Sequence, residues 1–314
     1  MSVSIFDLDE ATFCVDGHDL GMTERTGSYI LVDRPNGVSI IETGPSLSVP
    51  YIKSALSKKK IALDEVKYII VTHIHLDHAG GAGLLLKDCP NAKVVVHPKG
   101  SRHLQNPARL IQGARAVYGD AFDSLFEPVL PIPQDRLIEM DNETVLQLSA
   151  ERTLTFYHTP GHANHHFSIF DSRTDTLFAG DTLGVRYPQL ERRGIYFYLP
   201  STSPNQFNPS LMLESAVIAE LLNPSRIAFG HFNVSNKTEE VYKQLRKWLP
   251  FFIKTGKSVL NMKEDWQLLK ELLLAEVQKE LSSYDICKDD PIYEVIQLDL
   301  TISAMGVMDY LKKQ

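Results

Sequence analysis

The run Val66-Lys67-Tyr68-Ile69-Ile70-Val71-Thr72 ends directly on His73-Ile74-His75-Leu76-Asp77-His78, followed by Ala79-Gly80-Gly81. The β-branched run reads as a short buried strand. In extended backbone, side chains two apart share a face, so the rings of His73 and His75 can reach one cation. Asp77 and His78 come where the chain turns toward a helix. Adjacent side chains diverge, so these two can serve a second cation nearby. Imidazole and carboxylate together suit Zn²⁺, Fe²⁺ or Mn²⁺. The glycines relieve crowding where backbone passes close to a metal site. A satisfied polar loop would explain a single His-x-His. It does not explain three histidines and an aspartate packed at the end of an apolar strand.

Three later residues extend the set. His162 sits in Thr159-Pro160-Gly161-His162, Asp181 in Ala179-Gly180-Asp181-Thr182, and His231 in Phe229-Gly230-His231-Phe232. Each follows a strand-like run and a glycine, so each can project from the same edge of a sheet. Alone, any of them reads as a loop residue. The repeated arrangement of strand, glycine and donor makes them a group.

The surrounding pattern is α/β. Residues 28–43 read as two strands joined at Pro35-Asn36-Gly37, a turn that tolerates positive φ. Residues 79–88 read as a helix and 92–97 as the next strand. Residues 101–127 look helical, and the proline-rich stretch 128–135 reads as a connector. Strand signals return at 137–138, 145–148, 153–158, 166–170 and 176–179. Residues 210–222 read as a helix and 225–229 as a strand. The character then changes, with long helical patterns at 238–254, 264–282 and 292–313. The second places Trp266, Leu269, Leu273 and Val277 on one side. Gly256 is the breaker expected between the first two. These patterns divide the chain into a catalytic domain, 1–236, and a helical C-terminal extension, 237–314.

Composition bounds the partners. With 314 residues and a net charge of −7, the chain lacks the overall basic balance that phosphate backbones demand, so a small-molecule substrate is expected and a nucleic acid is not. Cys14, Cys89 and Cys287 are far apart and in no C-x-x-C pair, which argues against both a disulfide framework and a thiolate zinc site. No apolar run approaches the ~20 residues of a membrane helix. The N-terminus shows no secretory pattern, and a cytoplasmic location is the expectation.

The motifs His73-Ile74-His75-Leu76-Asp77-His78-Ala79-Gly80-Gly81, Thr159-Pro160-Gly161-His162, Ala179-Gly180-Asp181 and Phe229-Gly230-His231, in that order, closely resemble the metallo-β-lactamase superfamily. The resemblance covers roughly residues 12–235. It implies an αββα sandwich with the metals at one edge. Carried over by position, it gives His73, His75 and His162 to a first metal and Asp77, His78 and His231 to a second, with Asp181 bridging. Glu42-Thr43-Gly44 departs from the Asp-Thr-Gly of many relatives, and its longer carboxylate is left outside the ligand set, a candidate at most for supporting a ligand from behind. The stretches around His162, Asp181 and His231 look most like a group of prokaryotic hydrolases of unsettled substrate. The helical tail resembles, in architecture alone, that of the quorum-signalling thioesterase of the quinolone pathway.

The implied chemistry is attack by a metal-bridging hydroxide on an ester, lactone or thioester, with two divalent ions, zinc first and iron or manganese as alternatives. Asp77 can orient the nucleophile and accept a proton. No Gly-x-Ser-x-Gly elbow offers a serine nucleophile. Residues 184–209, rich in Tyr, Phe and Pro, read as a pocket wall. There Tyr187 and Tyr196 are candidate donors to an oxyanion, set against the plainer reading that they pack the loop. One of His165 and His166 is expected to support a ligand, and His97 and His103 read as ordinary polar histidines. Phosphodiester hydrolysis is the nearest alternative, kept open by Arg186, Arg192 and Arg193. A metal-dependent oxidoreductase and a non-catalytic binding protein are more distant ones. The apolar faces of the tail must be covered, by the core, by each other or by a second subunit, and the tail is expected to help enclose the pocket or to form a homodimer contact. Elemental analysis of the purified protein is expected to find close to two transition-metal ions per chain. None, even after reconstitution, would refute the central reading.

Overall fold

The computed structural model describes residues 3–314, which fall into two compact units. The first comprises residues up to 158, 165–180 and 224–236. It holds a seven-stranded sheet, Ile5–Asp9, Thr12–Asp16, Gly27–Asp33, Gly37–Ile41, Val66–Ile70, Lys93–Val96 and Leu137–Glu139, in sequence order. The first four strands run antiparallel and the last four parallel. A six-stranded sheet follows the order Val234–Ser235, Arg226–Phe229, Thr176–Gly180, Phe167–Asp171, Arg152–His158 and Thr144–Ser149. Its one parallel pair joins Thr176–Gly180 to Arg226–Phe229.

Period-two alternation sorts the strand residues. Ile30, Ile40, Ile69 and Val94 face one way, packing with Ile52 and Leu56 of helix Val49–Lys58 and Leu85 and Leu86 of helix Ala82–Asp88. Tyr29, Leu31, Ile41, Ile70 and Val95 face the other way and meet Phe156, Phe167, Ile169 and Phe178 of the second sheet. Aromatic rings close that inner layer edge to face, Phe156 on Phe167 at 4.9 Å and Tyr29 on Phe178 at 5.1 Å. Each such buried ring contributes roughly 1.5–3 kcal/mol. The first unit is thus a pair of mixed sheets packed face to face, with helices on the outer face of the seven-stranded one.

A fully buried ion pair ties the strands at Arg152, whose Nε and Nη2 donate to Asp171 at 3.1 and 2.5 Å while Nη2 also reaches Thr12 Oγ1 at 3.2 Å. Removing one partner from such a pair costs about 3–5 kcal/mol.

The second unit comprises residues 159–164, 181–223 and 237–314. Its helices Thr238–Asn261, Trp266–Ser282 and Ile292–Lys312 bury Trp248, Phe252, Leu269, Leu273, Val277, Leu300 and Val307. Gly256 does not break the first of them. The helix runs on to Asn261, and Gly256 is instead where it meets the last helix: a Cβ there would stand 2.7 Å from Val307. The glycine that reads as punctuation is a packing contact. Among the described residues no helix is long and apolar enough to cross a membrane.

His97 is more than an ordinary polar residue. It is 3% exposed, it caps helix Pro98–Gln105 by accepting the Lys99 backbone N–H on Nδ1 at 3.1 Å, and its ring lies 4.6 Å from that of His158. Burial, then the neighbouring charges of His158 and Lys99, push its pKa from 6.5 down to about 4. An accepting Nδ1 requires the neutral ring, consistent with that direction. Between about 6.5 and about 4 the unfolded chain holds the extra proton, so this histidine's share of stability falls as pH drops through that window. In urea unfolding, wild type is therefore expected to lose stability more steeply on acidification than His97→Asn, which keeps a capping oxygen. Equal slopes would show that the folded ring carries no such penalty.

Candidate metal centre

The donors sit where strands end. Strand Val66–Ile70 runs into His73 and His75, and the short helix Leu76–Ala79 carries Asp77 and His78. Strand Thr176–Gly180 delivers Asp181 and strand Arg226–Phe229 delivers His231. Gly180 is left-handed, φ +49°, and a Cβ there would stand 2.5 Å from Thr72 Oγ1 and 2.4 Å from His166 Nε2. Only glycine lets the chain turn toward Asp181 at this spot. Gly161, φ +130°, passes as tightly against Met212.

His73, His78, His162, Asp181 and His231 are buried, while His75 and Asp77 are half-buried. His73 Nε2 lies 3.0 Å from His75 Nδ1. Asp77 Oδ2 lies 3.5 Å from His78 Nε2 and 3.8 Å from His231 Nε2. His162 Nε2 lies 3.6 Å from Asp181 Oδ2. Within the first unit the donor atoms of Asp77, His78 and His231 fall within 4.8 Å of one another. A tetrahedral ion with bonds of ~2.0–2.1 Å sets its ligand atoms roughly 3.3–3.4 Å apart. The observed spacings bracket that value, so the residues fit divalent metal.

The far side of each ring supports the same fit. The Ser201 carbonyl, which can only accept, stands 2.9 Å from His162 Nδ1, so Nδ1 carries the proton and Nε2 keeps its lone pair. Glu42 Oε2 stands 3.3 Å from His78 Nδ1, and Thr72 Oγ1 stands 3.1 Å from His73 Nδ1. Ser201 Oγ donates to Asp181 Oδ2 at 2.9 Å. Such partners orient metal ligands and set their basicity.

Glu42 is the residue that the sequence pattern undervalued. It is 2% exposed, accepts the Thr72 backbone N–H on Oε1 at 3.0 Å, and holds an uncommon φ of +65°. The left-handed backbone turns the longer side chain back toward His78. Its place in Glu42-Thr43-Gly44 was the available signal. Asp19 had none. It is 2% exposed, its Oδ2 lies 3.4 Å from Arg25 Nε, and burial pushes its carboxyl up to about 6 against the pull of Arg25. The charges of Asp77, His231 and His78 also act on it, which sets it beside the second donor group.

Both His165 and His166, not one of them, come near the candidate donors. The strand starts at Phe167, so alternation does not govern the pair, and both rings lie near His73, at centroid distances of 6.3 and 5.1 Å. Tyr187 is 1% exposed and its hydroxyl donates to Asp299 Oδ2 at 3.0 Å. Tyr196 is 37% exposed, with Lys237 Nζ 5.2 Å from its ring centre. Arg186 pairs with Glu191 at 2.5 Å and Arg193 with Asp290 at 2.6 Å.

The sequence profile of the Metallo-beta-lactamase superfamily matches residues 22–231. The chain belongs to that superfamily, and its class is that of the superfamily's metallo-hydrolases. A metallo-beta-lactamase fold-containing protein of Sulfurisphaera tokodaii is 32% identical over 188 residues, 58% of this chain and 67% of that one. The crystal structure of a metallo-beta-lactamase family protein from Thermus thermophilus shares the fold at a TM-score of 0.67 and 16% identity, covering 98% of this chain and 95% of its own. A hydroxyacylglutathione hydrolase of Legionella pneumophila is 27% identical over 139 residues, 44% of this chain and 41% of that enzyme.

Glu42→Gln tests the support on His78. If the amide oxygen keeps the Thr72 bond, its NH₂ faces His78 Nδ1 and drives the ring proton to Nε2, the nitrogen that faces Asp77. Metal affinity measured by chelator competition is expected to fall about ten- to a hundredfold. Unchanged affinity would show that Glu42 does not govern the ring.

Proposed function

We propose that this protein is a dinuclear metallo-hydrolase acting on an ester, lactone or thioester. His73, His75 and His162 hold one ion, Asp77, His78 and His231 hold the other, and Asp181 is shared. The observation that carries this reading is the grouping of the donor atoms. Asp77, His78 and His231 group within 4.8 Å of one another, His73 Nε2 stands 3.0 Å from His75 Nδ1, and His162 Nε2 stands 3.6 Å from Asp181 Oδ2. When bound, two divalent ions supply Lewis acidity, which polarises the scissile carbonyl and lowers the pKa of water toward neutrality.

The chain's own residues then have separate tasks. Asp77 keeps Oδ2 beside two imidazoles while its side chain stays 22% exposed, so its other oxygen, Oδ1, can orient an attacking water and take up its proton. Asp181 is held by Ser201 and cannot rotate without breaking that bond. Tyr187 has its hydroxyl on Asp299, so packing of the loop explains it without a role in stabilising charge.

Acyl transfer to water is favoured over phosphodiester cleavage. The relatives named hydroxyacylglutathione hydrolase act on an acyl group, and Arg186 and Arg193 are occupied by carboxylates. Zinc is the first choice of ion, with iron or manganese suited to the same donors. The test is a panel of lactone, thioester and phosphodiester substrates, given to protein loaded in turn with each metal. Turnover of a lactone or thioester is expected, with Asp181→Ala losing metal and nearly all of that activity together. Turnover of phosphodiesters alone would overturn the substrate reading. Full activity and unchanged metal content in Asp181→Ala would overturn the shared ligand.

A further inference from the structure

Ser201 touches two of the donors at once, its carbonyl accepting from His162 Nδ1 and its hydroxyl donating to Asp181 Oδ2, each at 2.9 Å. The segment that carries Ser201 is laid along the last helix, Ile292–Lys312. Thr202 Oγ1 donates to the Ser303 carbonyl at 2.7 Å, and Ser303 Oγ donates back to the Pro200 carbonyl at 3.3 Å. Two turns on, Asp309 Oδ2 accepts the Asn205 backbone N–H at 2.9 Å. Between these ties the helix presents Gly306, where a Cβ would stand 2.7 Å from both the Ser203 nitrogen and the Thr202 carbonyl carbon. Thr202 and Ser303 are buried at 1% and 3% exposure.

We infer that the C-terminal helix is a positioning element of the metal centre, acting through Ser201 on His162 and Asp181. This rests on the reading of those two residues as metal ligands. The Ser201 carbonyl fixes the proton of His162 on Nδ1 and so leaves Nε2 as the donor. The Ser201 hydroxyl holds one carboxylate oxygen of Asp181 and so sets where the other points. Neither atom of Ser201 is steered by a regular strand at that position, which lies just beyond the two-residue strand Tyr198–Leu199. The helix supplies the constraint instead, with Gly306 setting how closely the two backbones meet. A stretch of chain well outside the donor motifs thereby sets the affinity of the site. A helix that only added stability would affect folding without affecting that affinity.

The experiment uses the full chain, with cobalt(II) as the probe. Three quantities are measured: the cobalt dissociation constant by chelator competition, the visible cobalt spectrum, and the unfolding temperature of the metal-free protein. Ser201→Ala removes the hydroxyl and keeps the carbonyl. Ser201→Thr restores a hydroxyl. Gly306→Ala pushes the helix off residues 202–203. Cobalt binding is expected to weaken about ten- to a hundredfold in Ser201→Ala and Gly306→Ala, with an altered spectrum, and to recover in Ser201→Thr. The metal-free unfolding temperature of Ser201→Ala should stay near that of wild type, so this variant decides the matter if Gly306→Ala folds poorly. Wild type that takes up no cobalt would overturn the ligand reading itself. Wild type that binds cobalt, with Ser201→Ala and Gly306→Ala binding it equally well, would overturn the role of the helix alone.

Discussion

A neutral imidazole has one nitrogen that donates and one that accepts, so pinning the proton on one side decides what the other side can do. The candidate metal centre depends on that constraint. The Ser201 carbonyl pins His162, and Glu42 and Thr72 stand at the corresponding nitrogens of His78 and His73. Each partner lies on the side of the ring away from the other donors. The nitrogens left to accept by the carbonyl and the carboxylate, His162 Nε2 and His78 Nε2, are the ones that meet neighbouring donors at 3.6 and 3.5 Å. Without such partners the rings would be free to choose tautomers, and a cation would have to do that ordering itself.

Burial sharpens the requirement. Placing carboxylate and imidazole groups inside a protein costs free energy unless hydrogen bonds or a counter-charge compensate. Asp181 is 2% exposed with an acceptor bond from Ser201, and Asp19, also 2% exposed, shows the cost in a carboxyl pushed up to about 6 despite its arginine. A divalent cation is the compensation that suits the rest of the group, because it satisfies several lone pairs at once. The fold makes the arrangement possible by keeping the aromatic inner layer of Tyr29, Phe156, Phe167 and Phe178 between the sheets and the polar groups at strand ends.

Short strands are what bring distant donors together. Strands Val66–Ile70, Thr176–Gly180 and Arg226–Phe229 each stop within a few residues of a donor, and the latter two pair in parallel, so their donors emerge at the same end. Gly180 is the pivot of this arrangement, since its left-handed backbone fits against Thr72 and His166 with no room for a side chain. That contact links the turn before Asp181 to the residue that also supports His73.

The candidate donors and the strands they follow are legible in the sequence, because both are encoded locally. His73, His75, Asp77 and His78 follow one apolar run, and strand, glycine and donor recur at His162, Asp181 and His231. Alternation within strands such as Gly27–Asp33 shows up as period two, and the long amphipathic stretches of the tail became helices. Other features were silent because they depend on what comes near in space. The edge strand Ile5–Asp9 and its neighbour Thr12–Asp16 carry no strong local pattern. Gly256 looks like a helix end, yet a neighbouring helix needs its missing side chain. Glu42 reads as a departure from a motif until a left-handed φ turns it toward His78. Ser201 and Ser303 are unremarkable letters a hundred residues apart, and only tertiary structure makes one hold two donors and the other hold its neighbours. Donor identity is a property of residue type and spacing, whereas the orientation of those donors is decided by hydrogen bonds between segments that only folding brings together.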